Sequence, residues 1–81
     1  LAGAAIDLTP KEFALLECLM RRSGAVLTRE QIADHVWGTG SDVTGNVVDL
    51  YVHYLRGKLD RYGGKKLIET VRGVGYTLRS A

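Results

Sequence analysis

Apolar residues return every three or four positions in three windows of the chain, and alternate with polar ones only near its ends. Each helical window carries its own boundary signals. In the first, Thr9 is placed as N-cap, Pro10 as first helical residue and Glu12 as the partner that closes a capping box. Leu8 and Phe13 are expected to staple that end, Phe13, Leu16, Leu19 and Met20 to form the buried stripe, and Gly24 to stop the helix. The device repeats in LTREQIADHVWG, with Thr28 as cap, Gln31 in the box and Leu27 stapled to Ile32. Ile32, Ala33, Val36 and Trp37 form its stripe, and Gly38 ends it. A third helix is predicted over about 46–62, followed by Gly63-Gly64; Val48, Val52, Leu55, Leu59 and Tyr62 fall within about 40° of one line.

Period-two patterning marks the remainder. Ala4, Ile6 and Leu8, beside Gly3, read as one hairpin arm. Leu67–Val71 and Tyr76–Arg79 read as a second hairpin, with Gly73 and Gly75 expected to supply positive φ between them. GTGSDVTG, residues 38–45, is too polar for core. The order is strand, helix, helix, loop, helix, hairpin. It predicts an α+β, mainly helical fold: a winged helix-turn-helix with a three-helix core and a C-terminal β-hairpin wing. One domain is expected over residues 1–81, without repeats. Such a layout occurs in DNA-binding proteins and also in protein-binding modules, so architecture alone does not choose between them.

The outer face of the third helix changes the picture. Opposite its core line stand Leu50, His53, Tyr54, Gly57 and Arg61, with Asp49 and Arg56 on a flank. A solvated helix would show Glu and Lys there. Leu50 can meet a thymine methyl, while His53, Tyr54 and Arg56 can donate to base edges or phosphates. The alternative is that this face docks on another protein. Charge favours an anionic partner: four Lys/Arg face six Asp/Glu before Asn46, and seven face three from there on.

Other chemistry finds little support. His35 and His53 lack neighbouring ligands for zinc, and Gly73-Val74-Gly75 suits a hairpin turn better than a dinucleotide site. Ser23, Ser41 and Ser80 have no base placed near them, and Asp7, Asp34 and Asp60 are scattered. No enzyme activity, metal or cofactor is therefore expected. The single cysteine, Cys18, and the absence of a long apolar run fit a cytoplasmic protein with no membrane segment. Beginning at Leu1 rather than Met, the chain reads as a piece of something longer.

TPKEFALLECL, LTREQIADHVWG, NVVDLYVHYLRGKL and IETVRGVGYTL resemble, in order and spacing, the effector domain of OmpR/PhoB-type response regulators over about residues 6–79. The resemblance implies a bacterial transcription regulator of a two-component phosphorelay, bound to double-stranded promoter DNA and controlled by an upstream receiver domain. The third helix would enter the major groove. Asp49, Leu50, His53, Tyr54 and Arg56 match positions facing bases or nearby backbone, and Asn46, Val47 and Tyr51 match positions at the phosphates. The wing, 67–79, would cover the adjacent minor groove with Thr70 and Arg72 in contact, while Trp37 and Tyr76 match backbone-contacting positions. For Trp37, core packing is the first role. The loop Gly38–Gly45, with Asp42 and Val43, matches the segment offered to RNA polymerase. The isolated domain would be a monomer that pairs in tandem on DNA. Two departures stand out. Many members carry Arg where this chain has His53 and Tyr54, and the family's N-terminal four-stranded sheet is reduced here to its last strand, with the receiver absent.

Overall fold

The computed structural model describes residues 7–61 and 67–79. Its elements run α1 (Pro10–Arg21), β1 (Leu27–Thr28), α2 (Arg29–Trp37), α3 (Gly45–Arg61), β2 (Ile68–Val71) and β3 (Gly75–Leu78). The helices pack on one another, and an antiparallel sheet of order β1-β3-β2 closes one side. This is the expected mainly helical α+β winged helix. The proposed strand through Ala4 and Ile6, the helix end at Tyr62 to Gly64, and Ser80 lie outside the described residues.

Both capping boxes form. Thr9 Oγ1 accepts from the Glu12 N–H at 3.2 Å, and Glu12 Oε1 accepts from the Thr9 N–H at 2.8 Å. Thr28 and Gln31 repeat the exchange at 3.0 and 2.9 Å. Each box satisfies donors that a helix N-terminus otherwise leaves open, contributing roughly 1 kcal/mol. Leu27 and Ile32 are both buried, as their staple requires.

The buried stripe of α1 differs from the expected one. Leu15, Cys18 and Leu19 are buried with Glu12, whereas Phe13 and Met20 are each 58% exposed and Leu16 is half-buried. Nearly every position from Phe13 to Met20 is apolar, so periodicity offers two competing stripes. Glu12 decides between them. Its carboxylate caps Thr9 and meets Lys58 Nζ from α3, so the face that holds positions 12, 15 and 19 must turn inward. Phe13 is then mostly exposed and stands off the buried stripe.

β1 escaped the sequence pattern because it is two residues long and doubles as the entry to α2. Leu27 pairs with Tyr76, and Thr28 with Gly75. That close approach explains Gly75. Its φ is not positive, contrary to expectation; of the two turn glycines only Gly73 is left-handed, at φ 75°. A Cβ at Gly75 would lie 1.9 Å from the Leu27 carbonyl oxygen, so only glycine lets β1 reach β3.

Burial pushes the Glu12 carboxyl up, but the Lys58 and Thr9 hydrogen bonds and the Lys58 charge outweigh it and hold the group below its ordinary 4.5. A carboxyl depressed in the fold stabilises it above the unfolded value and releases that stabilisation as pH falls through the folded one. Glu12→Gln is therefore expected to lower stability at pH 7 by about 1–3 kcal/mol. It should also flatten the loss of stability below about pH 4.5. Urea titrations of both proteins between pH 7 and 3 check this, and parallel acid limbs would contradict it.

Candidate nucleic-acid interface

α3 is divided as its periodicity requires. Val48, Val52, Leu55 and Leu59 are wholly buried against the other helices and the sheet. On the far side Leu50 is 45% and Tyr54 47% exposed, and His53, Gly57 and Arg61 are exposed too. An aromatic row runs beside them. Trp37, half-buried at the end of α2, meets Tyr51 edge-on at 5.1 Å, and Tyr51 meets Tyr54 at 6.0 Å. Packing is thus the first role of Trp37. Lys11 lies 5.7 Å over the indole ring and also donates to the Val36 carbonyl at 3.2 Å, tying α1 to this corner.

The two flank residues are engaged within the fold. Asp49 Oδ1 accepts from the Tyr76 hydroxyl at 2.6 Å and pairs with Arg29 Nε at 3.0 Å. Arg56 donates from Nε and Nη2 to the Ile68 carbonyl at 3.2 and 2.8 Å, and from Nη2 to Thr70 Oγ1 at 2.7 Å. Its guanidinium also lies 5.6 Å from the Tyr76 ring centre. Burial first, then the Asp49 hydrogen bond and charge, push the Tyr76 phenol above its ordinary 10.0, so it remains a donor to Asp49 at neutral pH. Arg29 has no counterpart in the sequence reading. It stands at the first position of α2 and meets Asp49 only through the tertiary fold, so no local spacing announces it.

The wing turn leaves Arg72 exposed beside the left-handed Gly73, while Thr70 is exposed with its hydroxyl on Arg56. At the start of α3 Asn46 is exposed and Val47 half-buried. α1 and α2 carry Glu12 and Glu30 in their first turns, but α3 carries no acid there. No acidic side chain within that turn offsets its positive dipole end. In the loop before α3 Asp42 is exposed, but Val43 is half-buried against the core, a departure from a wholly polar loop. Among the described residues no His, Cys, Asp and Glu cluster is placed to hold a metal ion, and no helix is long and apolar enough to cross a membrane.

The model of the family described as transcriptional regulatory protein, C terminal, matches residues 3–78. The response regulator ArlR of Staphylococcus haemolyticus is 56% identical over 77 residues, which cover 95% of this chain and 35% of ArlR. The chain thus spans about a third of the length of the curated relatives it matches. Among solved structures, the AdeR DNA-binding domain in complex with an intercistronic region superposes with a TM-score of 0.84 at 32% identity, covering 93% of this chain and 74% of that one. The DNA-binding domain of CpxR from E. coli gives 0.81 at 36% identity, covering 98% and 78%.

Gly57 stands on the outer face, where an added Cβ would meet nothing within 4 Å. Gly57→Ala is expected to raise stability by about 0.5–1 kcal/mol through helix propensity alone. Urea denaturation reads the gain, and a loss would mean that the backbone at this point needs glycine.

Proposed function

The chain belongs to the family of C-terminal domains of transcriptional regulatory proteins, the effector domains of OmpR/PhoB-type response regulators, and on that premise we propose how it engages DNA. The family is regulatory and not enzymatic. In our reading α3 lies in the major groove of double-stranded DNA and the turn between β2 and β3 meets the neighbouring minor groove. The observation that carries this is the outer face of α3. An apolar residue, an imidazole and a phenol stand exposed on a helix whose opposite face is fully buried, and an exposed arginine tips the adjoining hairpin.

Each group has a physical part. Leu50, one turn into α3, suits a thymine methyl, and His53 and Tyr54 offer single donors to base edges or backbone. Asn46 and Val47 stand in the first turn of α3, where the positive dipole end favours phosphate, and Tyr51 follows one turn further on. Arg72 suits a narrow, electronegative minor groove. Trp37 and Tyr76 are held by packing, so any backbone contact they make is secondary. Asp49, Arg56 and Thr70 already have partners in the protein. A longer parent with a receiver domain, tandem pairing on direct repeats and a polymerase contact through Gly38–Gly45 complete the proposal. Within that loop Asp42 is the better-exposed candidate, because Val43 also packs on the core.

Selection of bound sequences from a random duplex pool tests the reading directly: a half-site with thymines facing α3 is expected, and no enrichment would overturn it. On the selected site Arg72→Ala should weaken binding by roughly 1–3 kcal/mol and relax the A·T preference at the wing-proximal position. An unchanged affinity and footprint would remove the wing from the interface. Leu50→Ala should reduce discrimination between thymine and uracil at one position, because the two bases differ there only by the methyl group. Equal discrimination in both proteins would place Leu50 away from the bases.

A further inference from the structure

Asp49 and Arg56 are seven residues apart on α3, two turns along nearly the same line of the helix. Each grips a different strand of the hairpin. Asp49 takes the Tyr76 hydroxyl of β3, and Arg56 takes the Ile68 carbonyl and the Thr70 hydroxyl of β2. Thr70 and Tyr76 face each other in the sheet register, and the Tyr76 ring also lies beside the Arg56 guanidinium. The result is a closed circuit from α3 to β2, across to β3, and back to α3.

The sheet makes this circuit necessary. β2 is an edge strand in the order β1-β3-β2. The Leu67 carbonyl accepts from the Arg79 N–H at 2.7 Å, so by alternation along an antiparallel pair the next carbonyl, that of Ile68, turns to the open edge. Arg56 caps that carbonyl with two donors and continues to Thr70, two residues nearer the turn that carries Arg72. The β1 pairing anchors β3, and the two attachment points on α3, one on each strand, add a second axis of support that fixes the tilt of the hairpin against the helix. A guanidinium fork can hold a carbonyl and a hydroxyl at once in a fixed plane, which an ammonium cannot do.

We propose that Arg56 is a positioning residue that does not read DNA itself: through Ile68 and Thr70 it sets the angle between wing and recognition helix, and so decides whether Arg72 reaches the minor groove in register with α3. The inference rests on the DNA reading above for its consequence, but the clasp is present without DNA. It reassigns Arg56 and Thr70, which the resemblance alone would put at the nucleic acid.

The test uses Arg56→Lys, which keeps the charge and removes the fork, together with Thr70→Val, which removes one bond and keeps a strand-favouring residue. In the free protein, amide hydrogen exchange in β2 and β3 should become about tenfold faster in both variants, with α1 and α2 unchanged. On DNA, Arg56→Lys should keep the wild-type salt dependence while losing the wing-proximal base preference. Arg72→Ala, costing about tenfold or more in wild type, should cost less than about threefold in the Arg56→Lys background. A phosphate contact would behave otherwise: lysine would substitute for arginine, and the Arg72→Ala effect would be the same in both backgrounds. That additivity, or unaltered exchange in the wing, overturns the proposal. If wild type selects no DNA, the DNA reading fails, and the exchange measurement still decides the clasp.

Discussion

One helix has to be core and surface at once, and the rest of the molecule follows from how α3 meets that demand. A domain of this size buries a modest fraction of its chain, so it cannot spare a long helix for surface duty alone. Val48, Val52, Leu55 and Leu59 are wholly buried, each contributing roughly 1.5–3 kcal/mol of burial. α1, α2 and β3 are arranged around that line. Because 3.6 residues make a turn, the line uses less than half the helix circumference. Positions 49 and 56 fall at its margin, and positions 50, 53 and 54 fall beyond it. The margin is where a side chain can reach a neighbouring element without entering the core. Asp49 and Arg56 do so, and the wing is attached there.

What could be read from the sequence follows the range of the interaction. Helix starts were legible because a capping box spans three residues, and TPKE and TREQ each hold a whole box. The α3 division was legible because its core line has no rival. The α1 stripe was not, because apolar residues fill both candidate faces and the choice falls to a partner 46 residues away, Lys58. β1 is too short to alternate. Gly75 reads in the sequence as a turn glycine, but its requirement is room for the Leu27 carbonyl, not a left-handed backbone. The same rule governs the site. Which residues face outward follows from period, whereas the partners of Asp49, Arg56 and Tyr76 come from pairings 12 to 27 residues apart and leave no local trace.

The aromatic row gives the outer face a further property. Tyr51 is held edge-on between Trp37 and Tyr54, and Trp37 is fixed by α2 and Lys11. Tyrosine has few rotatable bonds, and packing restricts them further. Ordering side chains on binding costs about 0.5–1.5 kcal/mol for each flexible one, so a face already ordered by its neighbours loses less when it meets a partner. Lysines and glutamates in the same places would pay that entropy in full. The residue types that looked out of place on a solvated helix are therefore suited to a surface held ready for contact.

Frame and face can then vary separately. Leu50, His53 and Tyr54 project beyond the margin, and none belongs to the buried core, so their replacement costs the fold less than replacement on the core line does. Asp49, Arg56 and Tyr76 lie within a hydrogen-bonded circuit in which losing one member leaves another without its partner. A carbonyl at an open sheet edge and a phenol beside a carboxylate are both costly to strand. Substitution on the outer face changes what is touched, and substitution in the circuit changes where the wing stands. Positions 53 and 54 lie outside that circuit, so a change in what they touch leaves the attachment of the wing in place.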